Sequence, residues 1–310
     1  MLRVRAYAKI NLSLAVLGKR PDGFHDIRTI FHTISVGDDL TIQFTRARKT
    51  SIEVTSSVEI PGENIAGKAA ALVLDAAKTT GHVRIHIQKK IPMGGGLGGG
   101  STDAAAVLRA LPALIRKDVN VLPLAARLGS DVPFFLYGGC ALGMGRGEEL
   151  YPLPDVRHSH GVLLTPQVHV STKDAYSALN RQLTQNQQFP ILERLQSLAW
   201  ALEVRAPKDV WAADCINDFE EVVFRQYPIL SKLQRKLSRM GAAPARMTGS
   251  GAALFGFFPD QAAVQAAVEQ FGQAQGIPLA LPFSLLSRSV YQSRWNRWIR
   301  DCRDNEKPRR

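Results

Sequence analysis

The chain opens on a strict alternation. Val4, Ala6, Ala8, Ile10, Leu12 and Leu14 fall on one side of an extended backbone, with Lys9, Asn11 and Ser13 on the other. That period of two predicts a strand. Arg20-Pro21-Asp22-Gly23-Phe24-His25 has the composition of a turn. Further strands are predicted over residues 29–35, 39–44 and 51–54. A helical pattern starts at Asn64 and runs through Lys78, and Val83, Ile85 and Ile87 then mark a strand that feeds a glycine run. Behind it a helix is predicted from Ala104 to about Leu111, where Pro112 stops or kinks it. A shorter one covers 122–128 and ends at Gly129.

Around residues 151–161 prolines, histidines and charges replace the periodic pattern, which marks a boundary between units spanning 1–156 and 157–310. The second unit reads as a strand over 162–165, several helices, and a helix from Pro228 to Met240 stopped by Gly241. A strand, the turn Thr248-Gly249-Ser250-Gly251, a strand over 252–258 and a helix from Asp260 follow. This order predicts an α+β chain whose second half is an antiparallel sheet covered by helices on one face. A length of 310 residues agrees with about two domains.

The formal charge of +12 requires a source. Arg288, Arg294, Arg297, Arg300, Arg303, Lys307, Arg309 and Arg310 crowd the C-terminus, with Trp295 and Trp298 among them. A basic, aromatic tail could touch nucleic acid. The spacing of Trp295, Trp298 and Ile299 favours a helix with its tryptophans turned inward and its arginines in solvent. The remaining body is moderately basic, which suits an anionic small-molecule substrate. Cys140, Cys215 and Cys302 are few, odd in number and far apart, as in a reduced cytoplasmic protein. No apolar run reaches the ~18 residues of a membrane span, so no membrane partner is expected.

Candidate chemistry begins at Pro92-Met93-Gly94-Gly95-Gly96-Leu97-Gly98-Gly99-Gly100-Ser101-Thr102-Asp103. Glycines let backbone N–H groups converge on one point, and a helix start just behind adds free donors and a positive dipole end. Such a segment holds a phosphate without basic side chains. A Walker loop is excluded because no lysine precedes Ser101. The spacing of Gly94, Gly96 and Gly99 meets a dinucleotide fingerprint only because the run is so rich in glycine, and no acidic strand end follows it. Magnesium is expected with a nucleoside triphosphate, and Ser101 is the candidate protein oxygen beside it.

A phosphate donor needs an acceptor and a base. Asp131, in Gly129-Ser130-Asp131-Val132-Pro133, is either a helix cap before Pro133 or that base. Lys9 is either a solvent-facing lysine on an edge strand or a cation that holds a carboxylate and steadies charge on the attacking oxygen. His158 and His160 lack a third ligand and read as a solvated loop. His25 is either a surface histidine or a contact to a base or sugar edge.

Three separated segments resemble the GHMP kinase superfamily of small-molecule kinases: Lys9-Ile10-Asn11-Leu12, the glycine run from Pro92 to Ala104, and Thr248-Gly249-Ser250-Gly251-Ala252. Arg20–His25, residues 128–134, Ser171–Tyr176 and Asn217–Glu220 are most similar to the branch acting on 4-diphosphocytidyl-2-C-methyl-D-erythritol in non-mevalonate isoprenoid synthesis. The resemblance implies a two-domain fold, a first domain of the kind found in ribosomal proteins and a ferredoxin-like α/β sandwich. It also implies ATP-dependent phosphorylation of that substrate's 2-hydroxyl, with Asp131 as base and Lys9 as its partner. It puts cytosine between Phe24 and Tyr176 with His25 and Asn11 as polar contacts, Gly249 and Gly251 beside the phosphates, and Asn64 and Lys68 at the adenine. A homoserine- or mevalonate-type kinase is the rival within the superfamily, and an RNA-binding protein the rival outside it. No nucleic acid is expected, and the chain is expected to be a monomer or weak homodimer. Phe24 stands where the family usually has tyrosine, Thr102 replaces a serine, and the basic end extends past the usual finish.

Overall fold

The computed structural model describes residues 1–60, 62–156, 160–179, 185–204, 211–272 and 279–304. His158, Lys307, Arg309 and Arg310, and the junction proposed between residues 156 and 157, lie at or beyond the edges of these segments.

Two long antiparallel strands, β1 (Leu2–Lys19) and β2 (His25–Arg46), form the spine. The turn between them closes by Arg20 N–H to Phe24 O (2.7 Å) and Gly23 N–H to Arg20 O (3.1 Å), with Gly23 at φ 85°. The strands predicted over 29–35 and 39–44 are one continuous element. Val36-Gly37-Asp38 reads as a break by composition, yet Gly37 sits in mid-strand because a Cβ there would come 2.7 Å from Ala6 O. One end of β2 pairs with β5 (Cys140–Met144), the other with β4 (Gly81–Gln88). With β3 (Ser51–Ser56) parallel to β4 and β6 (Glu149–Leu153) on β5, this makes a six-stranded sheet.

The predicted alternation in β1 does not define one apolar face. Register shifts between Tyr7 and Lys9, Asn11 and Ser13, and Val16 and Gly18 turn the strand over as it runs. Val4 and Ala6 thus join one core, Ala8, Ile10 and Leu12 a second, and Leu14 and Val16 a third. Lys9 and Asn11 are buried as well, at 3% exposure each, so the solvent-facing reading of Lys9 fails.

Helices α1 (Ile65–Ala76) and α2 (Gly99–Ile115) supply the apolar residues of the first core. Asn64 caps α1 by accepting the Ala66 N–H (2.9 Å). Helix α2 starts five residues earlier than predicted, inside the glycine run, and passes through Pro112. The helix ends one turn later, at Arg116 (φ 56°). Helices α3 (Leu122–Leu128) and α4 (Phe134–Tyr137) follow.

The second sheet, all antiparallel, runs β10 (Leu279–Phe283), β7 (Gly161–Thr165), β9 (Leu254–Phe257), β8 (Ala245–Met247). It is buried on both faces rather than covered on one. Val162, Leu164 and Leu254 join the core that takes in α7 (Phe219–Gln226), α8 (Pro228–Arg239) and α9 (Gln261–Gly272). Leu163, Phe255 and Phe257 point the other way, into a core shared with β1 and with α6 (Gln185–Glu203); α5 (Thr172–Leu179) precedes it. The first sheet is joined through backbone to the segment leading into α7: Leu14 N–H donates to Ile216 O (2.7 Å) and Asp218 N–H to Leu14 O (3.0 Å). Helix α10 (Arg288–Asp304) returns to the first sheet, with Tyr291 and Trp295 in its core and Trp298 packed beside them. Cys140 and Cys215 are buried free thiols.

Candidate active site

Gly94, Gly96 and Gly98 all take positive φ, near 70°, which an L side chain resists. Gly98 is the N-cap of α2 and offers no side chain to the first amides of the helix, which leaves those donors for a ligand. The run is anchored on two sides. Lys9 N–H donates to Leu97 O (3.1 Å). On the other side the Thr248–Gly251 turn presses so close that a Cβ on Gly249 would lie 3.0 Å from Gly96 Cα. Gly96 and Thr248, 152 residues apart in sequence, therefore lie on segments that meet main chain to main chain.

Beneath the run, Lys89 bridges two carboxylates, Asp38 at 2.5 Å and Asp103 at 2.9 Å. Asp38 also accepts the N–H groups of Lys90 (2.5 Å) and Ile91 (2.8 Å). Burial, with Asp38 nearby, pushes the Asp103 carboxyl up against the pull of Lys89. The sequence reading passed over Lys89 and Asp38, since no local pattern marks residues 51 apart as partners. Thr102 Oγ1 and Asp103 Oδ1 are buried without a hydrogen-bond partner.

Two cavities meet at the glycine run. One, about 210 Å³, is lined by Asn64, Ile65, Lys89, Asp103 and the run from Pro92 to Gly100. The other, about 640 Å³, is lined by Lys9, Asn11, Asp131, Phe24, His25 and Tyr176, with Gly249 and Ser250. Gly96 and Gly98 belong to both. Lys68, Ser101, Thr102 and Gly251 line neither. Lys68 is on the surface, paired with Glu63 at 2.8 Å.

Lys9 Nζ lies 3.6 Å from Asp131 Oδ2, donates to Asn11 Oδ1 (2.6 Å), and sits 5.3 Å above the Phe31 ring. Burial pushes its ammonium below the usual lysine range, and Asp131 pulls it part of the way back. Asp131 does not cap α4, whose N-cap position is Pro133. Its carboxylate faces the larger cavity, with a third of its side chain exposed. Asn11 is committed inward, its amide donating to Thr29 Oγ1 (2.7 Å) while its oxygen takes Lys9.

At the far end of that cavity His25 stacks on Tyr176, centroids 4.5 Å apart, and Tyr176 meets Phe219 edge-on. Tyr176 thus faces His25 rather than Phe24. Phe24 is half exposed, with the Arg146 guanidinium 4.7 Å over its ring. Burial, then Lys19, lowers the His25 imidazole below its usual value and keeps it neutral at pH 7. Lys19, Arg146 and Lys173 make this end cationic. The basic body of the chain was the only hint of them.

A glycine-lined backbone cradle set against an acid–lysine pair, on a two-sheet α+β frame, is the arrangement that a small-molecule kinase needs. The family description "GHMP kinases N terminal domain" matches residues 64–139, and "GHMP kinases C terminal" matches 177–277. A 4-diphosphocytidyl-2-C-methyl-D-erythritol kinase of Solibacter usitatus is 49% identical over 305 residues, covering 95% of this chain and 92% of that one. One from Moorella thermoacetica is 41% identical, covering 84% and 91%. A crystal structure of 4-(cytidine 5'-diphospho)-2C-methyl-D-erythritol kinase aligns with a TM-score of 0.75 at 34% identity, over 92% of this chain and 99% of that one. The homoserine kinase of Cytophaga hutchinsonii shares the fold at TM-score 0.74 and 18% identity, over 93% and 96%. The chain belongs to the GHMP kinases. Among the described residues no helix is long and apolar enough to cross a membrane.

Proposed function

We propose that this chain transfers the terminal phosphoryl group of ATP to the 2-hydroxyl of 4-diphosphocytidyl-2-C-methyl-D-erythritol. One observation carries the reading: two cavities share only the glycine wall at Gly96 and Gly98, and the Lys9–Asp131 pair stands on the larger one's side of it. The relatives at 49% and 41% identity carry that substrate in their names.

In this reading the nucleotide occupies the smaller cavity, beside Asn64, with its phosphates against the amides of 94–101. The cytidyl substrate occupies the larger one, its base at the aromatic end and its diphosphate among Lys19, Arg146 and Lys173. Phe24 offers a ring face to the cytosine, and neutral His25 can both give and accept a hydrogen bond at the base edge. Asp131 takes the proton of the 2-hydroxyl as the oxygen attacks phosphorus, and ADP departs. Lys9, held by Asn11, steadies the negative charge on the attacking oxygen. Most of the acceleration comes from alignment of the two ligands across the glycine wall.

Magnesium fits this site as a companion of the nucleotide. Among the described residues no cluster of three or more metal-binding side chains would hold it alone. The unpartnered Asp103 Oδ1, on a residue that lines the smaller cavity, would supply a hard oxygen donor of the kind it prefers, whereas Ser101 lines neither cavity. When bound, it neutralises charge on the phosphates.

The test is ATP consumption with the cytidyl alcohol, homoserine and mevalonate offered in parallel. The cytidyl alcohol should be the substrate. Asp131→Asn should lower kcat by at least ~100-fold while ATP still binds. Turnover of homoserine or mevalonate instead would overturn the substrate, and full activity of Asp131→Asn the base.

A further inference from the structure

The segment that carries Asp131 has little of its own to hold it. Val132 N–H reaches Gly129 O (3.2 Å), Phe135 N–H reaches Val132 O (3.2 Å), and α4 adds a single turn. One helical turn does not sustain itself, and its last carbonyls have no partner within the helix.

Side chains from the C-terminal helix take those carbonyls. Tyr291 Oη donates to Phe135 O (2.5 Å), and Gln292 Nε2 to Leu136 O (3.2 Å) and Tyr137 O (2.5 Å). Arg288 donates to Gly138 O (3.1 Å) and to Cys140 O. From α2, Arg109 donates to Leu136 O (3.0 Å) and to Gln292 Oε1 (2.9 Å). Tyr291 and Trp295 are each 1% exposed, and the Arg109 guanidinium lies 4.5 Å over the Trp295 ring. Phe135, whose carbonyl Tyr291 holds, sets its ring against Gly98. One helix therefore reaches both the stretch that presents Asp131 and the phosphate wall.

We propose that α10 is a positioning element of the active site, in which Tyr291, with Gln292 and Arg288, fixes Asp131 relative to Lys9. The proposal rests on the kinase reading for its kinetic arm only. Tyr291→Phe in the full-length chain removes one hydroxyl and keeps the ring. It should lower kcat roughly 10-fold, a fraction of the ~100-fold that a 1 Å misplacement costs, with both KM values within about twofold. In an Asp131→Asn background the same change should cost nothing further, because its effect passes through that carboxylate. Gln292→Ala, which leaves the buried core intact, should repeat the pattern more weakly.

A second readout needs no substrate. Asp131 raises the Lys9 ammonium against burial, so loosening it should move the titration of Lys9 downward, followed by NMR on protein labelled at lysine Cε. The groups facing Lys9 are Asp131, Asn11 and the Phe31 ring. If the wild type ignores the cytidyl alcohol but Tyr291→Phe still shifts Lys9, the substrate is wrong and the brace stands. An unmoved Lys9 titration, or an equal loss in the Asp131→Asn background, overturns the brace.

Discussion

Gly98→Ala puts a closely packed point of the site under load. The residue sits at φ 71°, where an alanine costs ~1–2 kcal/mol. Its new Cβ would lie 2.6 Å from the Phe135 ring and 3.4 Å from Lys9 Cγ. Ordinary contact begins at about 3.4 Å, so ring and loop must part by roughly 0.8 Å. Phe135 has no exposed surface, packs edge-on to Phe134 at 5.3 Å, and has its carbonyl held by Tyr291. Overpacking such a site adds ~1–3 kcal/mol. The sum, ~2–5 kcal/mol, corresponds to a fall in Tm of roughly 3–8 °C for a chain of this size. On the proposed function, activity should fall further, about 100-fold in kcat, because the loop proposed to aim the phosphoryl group shifts by nearly an ångström. Calorimetry and steady-state kinetics read both effects. Gly100→Ala is the control: its Cβ would meet only the Ile65 side chain, at 3.5 Å or more, within a helix, so Tm should hold or rise. If Gly98→Ala matched the wild type in Tm and kcat, the loop would not be shaped by backbone geometry and the cradle argument would fail.

Phe24→Ala should weaken the cytidyl substrate by ~1–3 kcal/mol with ATP affinity unchanged, as calorimetric titration would record; unchanged substrate affinity would remove Phe24 from the base site. His32 is wholly buried, and its Nε2 accepts Val156 N–H (3.2 Å) while Nδ1 faces Thr33 O (2.9 Å), an arrangement only neutral imidazole satisfies. Burial lowers its pKa to about 4. The unfolded chain takes up this proton below ~6.5, so the stability present above that pH is lost as pH falls from 6.5 to 4, by up to ~3 kcal/mol. Urea melts across that window test it, and His32→Gln should flatten the slope; an unchanged slope would clear His32 of the effect. Asp38→Asn leaves buried Lys89 with Asp103 alone and should cost about 3 kcal/mol, measured as a lower urea midpoint at constant m-value; a midpoint equal to wild type would mean Asp103 suffices.

Much of the frame was legible because it rests on local pattern. The helix start at Asn64, the stop at Gly129, the helix after Pro228 and the inward tryptophans of α10 all follow from residues within a turn or two of each other. The glycine run could be read as a phosphate loop because positive φ and a missing Cβ are properties of single residues. What the pattern hid depends on pairing at a distance. The register shifts of β1 reassign every side chain beyond them, and nothing between Tyr7 and Gly18 announces them. Strand β10 was missed because Leu279-Ala280-Leu281-Pro282-Phe283 acquires meaning only beside β7. The aromatic end shows the same limit: composition names Phe24, His25 and Tyr176, and only packing decides that His25 covers the tyrosine.

The partition between the two chambers consists of main chain alone. On the proposed function, an inhibitor spanning both chambers would lean on atoms that every amino acid possesses. Point mutation can only add bulk at Gly96 or Gly98, and each addition damages the enzyme before it repels the drug. Resistance would have to arise at the rims instead, at Phe24, Arg146 or Asn64, and a compound that draws its affinity from the partition would keep those routes weak.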